Sequence, residues 1–137
     1  MVDREVVLRR LDHLEDNLNY LQGLQEFSKE NFCREQDIYL RYERALHLAV
    51  EAVIDLGNHL IAERSLKTPE FNKEIFKILN ENNIISDELA DTLSKMAGFR
   101  NILVHDYLEL DRELEYEIMK NGIYDLREFM KIVAECI

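Results

Sequence analysis

Tyr42-Glu43-Arg44-Ala45-Leu46-His47-Leu48-Ala49-Val50-Glu51-Ala52-Val53-Ile54-Asp55-Leu56-Gly57 decides the fold. It is the heart of the most apolar segment, residues 36–64, which also holds Ile38, Leu40, Leu60 and Ile61. Apolar residues recur at steps of three and four, the period of a helix. They occupy more than one face, so a central helix packed on two sides is expected. Gly57 inside it is expected to let a neighbouring helix approach closely.

Outward from this segment the chain reads as further helices. Residues 3–27 carry Val6, Val7, Leu11, Leu14, Leu18, Leu21 and Leu24, an amphipathic helix. Ser28 is placed to cap a short turn through about Glu35. Thr68-Pro69 reads as a helix start, Thr as N-cap and Pro in the first helical position, with the helix running to about Asn80. Asn82-Asn83 ends it. Ser86 is placed to cap the next helix, with Leu89, Leu93, Met96, Phe99, Leu103 and Val104 as apolar positions. Asp111 is placed to cap a last helix through Cys136, with Leu114, Ile118, Leu126, Phe129, Met130 and Val133 inward and a kink expected at Gly122. One Pro and four Gly leave few breaks. The expectation is an all-α antiparallel bundle of four to five main helices in a single domain, residues 1–137.

The net charge of −11 argues against a generic nucleic-acid-binding surface, because phosphate is repelled by a uniformly acidic face. Cys33 and Cys136 form no CxxC or Cys/His cluster, so a structural zinc is not expected; two reduced, buried thiols are. Met1-Val2-Asp3-Arg4-Glu5 lacks a signal-peptide pattern. No apolar run approaches the ~18 residues of a membrane span. A cytoplasmic protein without a membrane association is expected.

One window departs from the acidic background. Residues 92–105 contain Lys95, Arg100 and His105 and no Asp or Glu. Just there the chain reads Gly98-Phe99-Arg100-Asn101-Ile102-Leu103-Val104-His105-Asp106-Tyr107, an Arg-x4-His-x-Tyr spacing. An arginine to hold a phosphate and an imidazole to move a proton suffice to cleave RNA without a metal. On a helix Tyr107 lies about 20° from Arg100, and His105 about 140° from Arg100 but about 40° from Asn101. One straight helix therefore does not easily aim Arg100 and His105 at one phosphate. Either the helix ends or bends near His105, or a two-fold dimer brings both copies into one cleft.

The stretch 97–107 closely resembles the signature of HepT-like toxins, members of the HEPN superfamily of ribonucleases. Residues 42–52 and Asn58-His59-Leu60-Ile61-Ala62-Glu63 are similar to that family's central helix. Thr68-Pro69-Glu70 and Leu108-Glu109-Leu110-Asp111 are similar too. The resemblance implies an all-helical homodimer with composite active sites at the interface and metal-independent ribonuclease activity, without a cofactor. Carried over, Arg100 and His105 are catalytic and Asn101 is a supporting polar residue. Tyr107 is the acceptor for AMP groups added by a cognate MntA-type nucleotidyltransferase antitoxin. Transfer RNA is the substrate class the resemblance suggests.

Other constellations carry less. Glu51, Asp55, His59 and Glu63 recur every four residues, but the step drifts about 40° each time and no Glu-x-x-His occurs, so a polar stripe or intrahelical pairing is expected rather than a metal site. Arg41, Arg44 and His47 extend a phosphate path only if acids do not claim them first. Asp106 has no assigned role and His13 is expected at the surface. Two function classes stay open: a ribonuclease toxin checked by a nucleotidyltransferase, and a catalytically idle helical module that binds nucleotides or partners such an enzyme.

Overall fold

The computed structural model describes residues 4–25, 28–105 and 112–137; the side chains of residues 99–105, 112–115, 118 and 119 lie outside the described set. Six helices follow in order: α1 (Arg4–Leu24), α2 (Lys29–Arg34), α3 (Gln36–Glu63), α4 (Asn72–Glu81), α5 (Asp87–His105) and α6 (Arg112–Cys136). No strand occurs among the described residues. The expected all-α bundle is present, with five main helices and the short α2.

Central helix α3 touches every other helix. Its apolar residues do sit on more than one face: Tyr42, Ala49 and Leu56 are fully covered along one stripe, and Val50, Ile54 and Ile61 are buried along another about 100° round the helix; Leu14, Leu18 and Leu21 of α1 are fully covered too. Each buried leucine contributes about 1.5–3 kcal/mol. By length and composition alone α3 would cross a membrane, contrary to the expectation that no segment approaches that apolarity. Most of its apolar window is buried inside the protein, as in the core helix of a bundle. Leu40 differs from the expected pattern and is exposed.

Gly57 behaves as expected. A Cβ there would stand 2.5 Å from Ile75 Cγ2 on α4, so the missing methyl is what lets α4 lie against α3. Both helices around that contact end in the same way. Ser65 (φ 54°) follows α3 and Asn83 (φ 60°) follows α4, each in the left-handed region. Leu66 N–H donates to Ile61 C=O and Ile84 N–H to Leu79 C=O, the closing bonds of Schellman turns.

The expected capping serines are in place. Ser28 Oγ accepts from Asn31 N–H at 3.1 Å and Ser86 Oγ from Leu89 N–H at 3.1 Å. The expected start at Thr68-Pro69 is not. The chain stays non-helical through Phe71, and α4 begins at Asn72 without a side-chain cap at Phe71. Glu74 reaches back instead, its Oε2 accepting from Glu70 N–H at 3.0 Å, and so serves one of the orphan donors a threonine cap would have served. Asp111 lies outside the described residues, and α6 runs as one helix through Gly122.

On one side of α6, Glu117, Asn121 and Asp125 share a groove with Thr92, Lys95 and Met96 of α5. His105 and Arg112 are seven peptide steps apart, at most about 25 Å. A parallel α6 would have to begin beside the start of α5, about 27 Å back along that helix, so the pair is antiparallel. α6 runs parallel to α3. Near its start Tyr116 touches Phe32 at 5.4 Å, and Phe32 touches Tyr42 at 5.2 Å. Near its end Val133 lines a small pocket with Leu56 and Leu60. The end of α5, the start of α6, α2 and the first turns of α3 therefore share one end of the bundle.

Candidate active site

Arg100, Asn101 and His105 all fall on α5, which is helical through His105. The helix thus does not break between Arg100 and His105, and the 140° separation expected from sequence applies to this backbone. The side chains of these three residues, and all of Tyr107 and Asp106, lie outside the described residues. What the structure adds is the frame around them.

Buried Leu89, Leu93, Met96 and Ala97 form the inner stripe of α5. Arg100 continues that stripe, four residues after Met96, three after Ala97 and seven after Leu93. Asn101 falls at the edge of that stripe, about 40° from Ala97, and His105 falls beyond it. The frame therefore separates the two catalytic candidates rather than bringing them together within one copy.

A cation that sequence reasoning missed stands beside the window. Lys73 of α4 lies over Gly98: a Cβ there would meet Lys73 Cε at 2.9 Å and Nζ at 3.2 Å. Ser94 Oγ donates to Lys73 C=O at 3.4 Å, tying the two helices at that level. Lys73 is exposed and forms no ion pair among the described residues. Only the glycine two residues before Arg100 hinted at it. Lys95 differs, pairing with Asp91 at 2.9 Å. The groove between α5 and α6 holds about 510 Å³. On its wall, burial pushes the Asp125 carboxyl above the ordinary aspartate range.

The remaining candidates are accounted for locally. Glu51 lies 3.6 Å from His47, and Asp55 pairs with Arg10 at 3.0 Å, so the four-residue stripe is a set of ordinary contacts. Arg44 Nη1 approaches His47 Nδ1 at 3.5 Å. Arg41 is exposed, as is His13. Cys33 and Cys136 are free thiols, half-buried rather than buried as expected.

The family model described as "Ribonuclease HepT-like" matches residues 14–133. The chain is 32% identical over 105 residues to the mRNA nuclease HepT of Shewanella oneidensis, covering 77% of this chain and 76% of that protein. It is 27% identical over 110 residues to the tRNA nuclease HepT of Aphanizomenon flos-aquae, covering 80% and 75%. Among solved structures it is similar to the tri-AMPylated Shewanella oneidensis HEPN toxin in complex with MNT antitoxin, at TM-score 0.89 and 25% identity over 97% of this chain and 99% of that one. The cytosolic protein YutE of Bacillus subtilis superposes at TM-score 0.86 and 25% identity, over 98% of this chain and 90% of that one.

Proposed function

The chain belongs to the HepT-like ribonuclease family, and from that premise we propose that it is the toxin of a toxin–antitoxin pair, a metal-independent endoribonuclease acting in the cytoplasm. The observation that carries the reading is the Arg-x4-His-x-Tyr spacing, whole in this sequence, with Arg100 and His105 both on α5. His105 takes the proton from an RNA 2′-OH as that oxygen attacks the adjacent phosphorus. Arg100 stabilises the charge that gathers on the phosphorane oxygens. The P–O5′ bond breaks and the departing oxygen is protonated, leaving a 2′,3′-cyclic phosphate and a 5′-hydroxyl. Asn101, about 40° from His105, supports the imidazole.

The active form is a homodimer in this reading. A straight α5 sets Arg100 and His105 about 140° apart, and a two-fold axis gathers the missing group from the second copy. The antitoxin is an MntA-type nucleotidyltransferase that adds AMP to Tyr107. Each AMP brings a phosphate charge and a base to the neighbourhood of Arg100, where they compete with RNA. One similar nuclease is named for mRNA and another for tRNA, and a cleavage assay on both classes decides which this chain prefers.

The test is cleavage of defined RNA with EDTA present. Full activity in EDTA and loss of activity in Arg100→Ala and His105→Ala are expected. Wild-type rates in either variant would refute the assignment. Incubation with the nucleotidyltransferase and ATP should add AMP increments to the intact mass, and Tyr107→Phe should gain none and escape neutralisation.

A further inference from the structure

Phe71 is out of place by the rules of local structure. It holds the N-cap position of α4, with extended backbone (φ −131°, ψ 153°) and no side-chain hydrogen bond to the first turn. That position favours Ser, Thr, Asp or Asn. Nor does the ring join the core: α4 buries Ile75, Phe76, Ile78 and Leu79, while Phe71 is 69% exposed. A lone exposed apolar side chain is ordinary. The surroundings of this one are not.

The ring borders a groove of about 410 Å³ between the start of α4 and α5, lined by Glu70, Phe71, Asn72, Lys73 and Ala97. Lys73 supplies a cation two residues from the ring. It forms no ion pair among the described residues. Ser94 Oγ donates to its backbone carbonyl and so holds this turn of α4 against α5. The end of its side chain rests on Gly98, where a Cβ would meet Cε at 2.9 Å. Glu70 is the acid of that lining; it is exposed, so water and salt screen it.

The groove lies on a particular side of α5, which is helical through His105. At 100° per residue, position 105 returns to within about 20° of Gly98, while position 100 stands about 160° away. Lys73 therefore rests on the side of α5 that carries position 105, about 10 Å back along the axis. A strand cut beside position 105 has only a short way to run to reach the groove. An aromatic face with a cation beside it is how proteins grip single-stranded nucleic acid without reading its sequence. A ring also holds RNA without depending on charge, which suits a chain of net charge −11.

We infer that Phe71 and Lys73 form a subsite for one nucleotide flanking the cut: its base stacks on the Phe71 ring and its phosphate meets the Lys73 ammonium. The inference rests on the ribonuclease reading and adds to it where the strand lies. Every base offers a π face, so the subsite tolerates sequence, and purines are favoured by their stronger stacking.

The experiment is steady-state cleavage of a single-stranded oligoribonucleotide with one cut site, by the full chain free of AMP. Phe71→Ala and Phe71→Leu should each raise KM about tenfold or more, and Phe71→Tyr should stay within about threefold of the wild type. An abasic nucleotide is then moved along the substrate. At one position near the cut it should raise KM for the wild type as much as Phe71→Ala does, and cost Phe71→Ala nothing further. Phe71→Ser should raise Tm, because it supplies the missing cap, and still raise KM. Wild-type KM in Phe71→Ala, or abasic losses that add to Phe71→Ala at every position, would overturn the subsite. So would a fall in Tm for Phe71→Ser, which would make the ring a structural prop. If sedimentation shows Phe71→Ala converting a dimer to a monomer, the ring is a contact between copies and the subsite falls. If the wild type cuts no RNA, the ribonuclease reading fails, and fluorescence anisotropy of the same labelled oligonucleotide with the same variants still decides whether the base stacks on Phe71.

Discussion

Replacing Gly57 with alanine tests whether α4 truly depends on a missing methyl. The new Cβ would sit 2.5 Å from Ile75 Cγ2, about 1 Å inside the ordinary carbon–carbon optimum of 3.5–4.0 Å. Ile75 is fully buried, so the isoleucine has little room to retreat, while Leu79 Cδ1 and Phe76 Cε1 would stand at an ordinary 3.8 Å from the new Cβ. Overpacking of this kind costs about 1–3 kcal/mol. Alanine returns about 1 kcal/mol of helix propensity. The net expectation is a loss of up to about 2 kcal/mol. Gly23→Ala is the matched control, since a Cβ there meets nothing within 4 Å, and it should gain about 0.5–1 kcal/mol. Thermal melts read both against the wild type, with each kcal/mol moving Tm by roughly 4 °C at this chain length. In an Ile75→Ala background, which removes Cγ2, Gly57→Ala should no longer destabilise. If Gly57→Ala stabilises the wild-type chain as much as Gly23→Ala does, the close-approach reasoning is wrong.

Three further outcomes follow from other contacts. Asp125→Asn should raise Tm at pH 7: burial holds the folded carboxyl above its ordinary value of 3.8, so the folded state binds more protons than the unfolded one and stability falls as pH rises through the shifted value. The advantage of Asp125→Asn should vanish below pH 3.8, and an advantage unchanged between pH 7 and pH 3 in melts would contradict it. Ser28→Ala and Ser86→Ala should each cost about 1 kcal/mol in denaturant melts, because each removes the acceptor of a first-turn N–H. Lys73→Ala should raise KM for RNA several-fold while leaving the fold intact, on the reading that α5 carries the site; an unchanged KM would remove Lys73 from the phosphate path.

Helix periodicity made the architecture legible because each helix buries a stripe. Leu11, Leu14, Leu18 and Leu21 show it in α1, and Ala49, Val53, Leu56 and Leu60 in α3. Ser28 and Ser86 were legible because a serine cap acts within three residues of itself. The start of α4 was not. Thr68-Pro69 carries the right local chemistry, but Glu74, six residues later, completes the turn from the other direction. The candidate site divides in the same way. Spacing alone set Arg100, Asn101 and His105 on one helix and separated them around it. It was silent on what stands opposite, since the neighbours of α5 depend on how the other helices pack against it. Lys73 was silent for a related reason: nothing in its own surroundings along the chain points to Gly98, twenty-five residues on.

The acid-free stretch of α5, with Lys73 laid over it, gives the molecule an approach problem that ionic strength should solve and then recreate. The whole chain carries −11, whereas the window from Thr92 to His105 carries none of the acids. At about 0.01 M salt the Debye length is about 30 Å, so a distant RNA strand feels the repulsive body before it feels the window. Near 0.1 M the screening length shrinks to about 10 Å, and the strand meets mainly the local cations. At higher salt those contacts are screened as well. Encounter with RNA should therefore be fastest at an intermediate ionic strength, where most of the protein has become electrically invisible and the window has not.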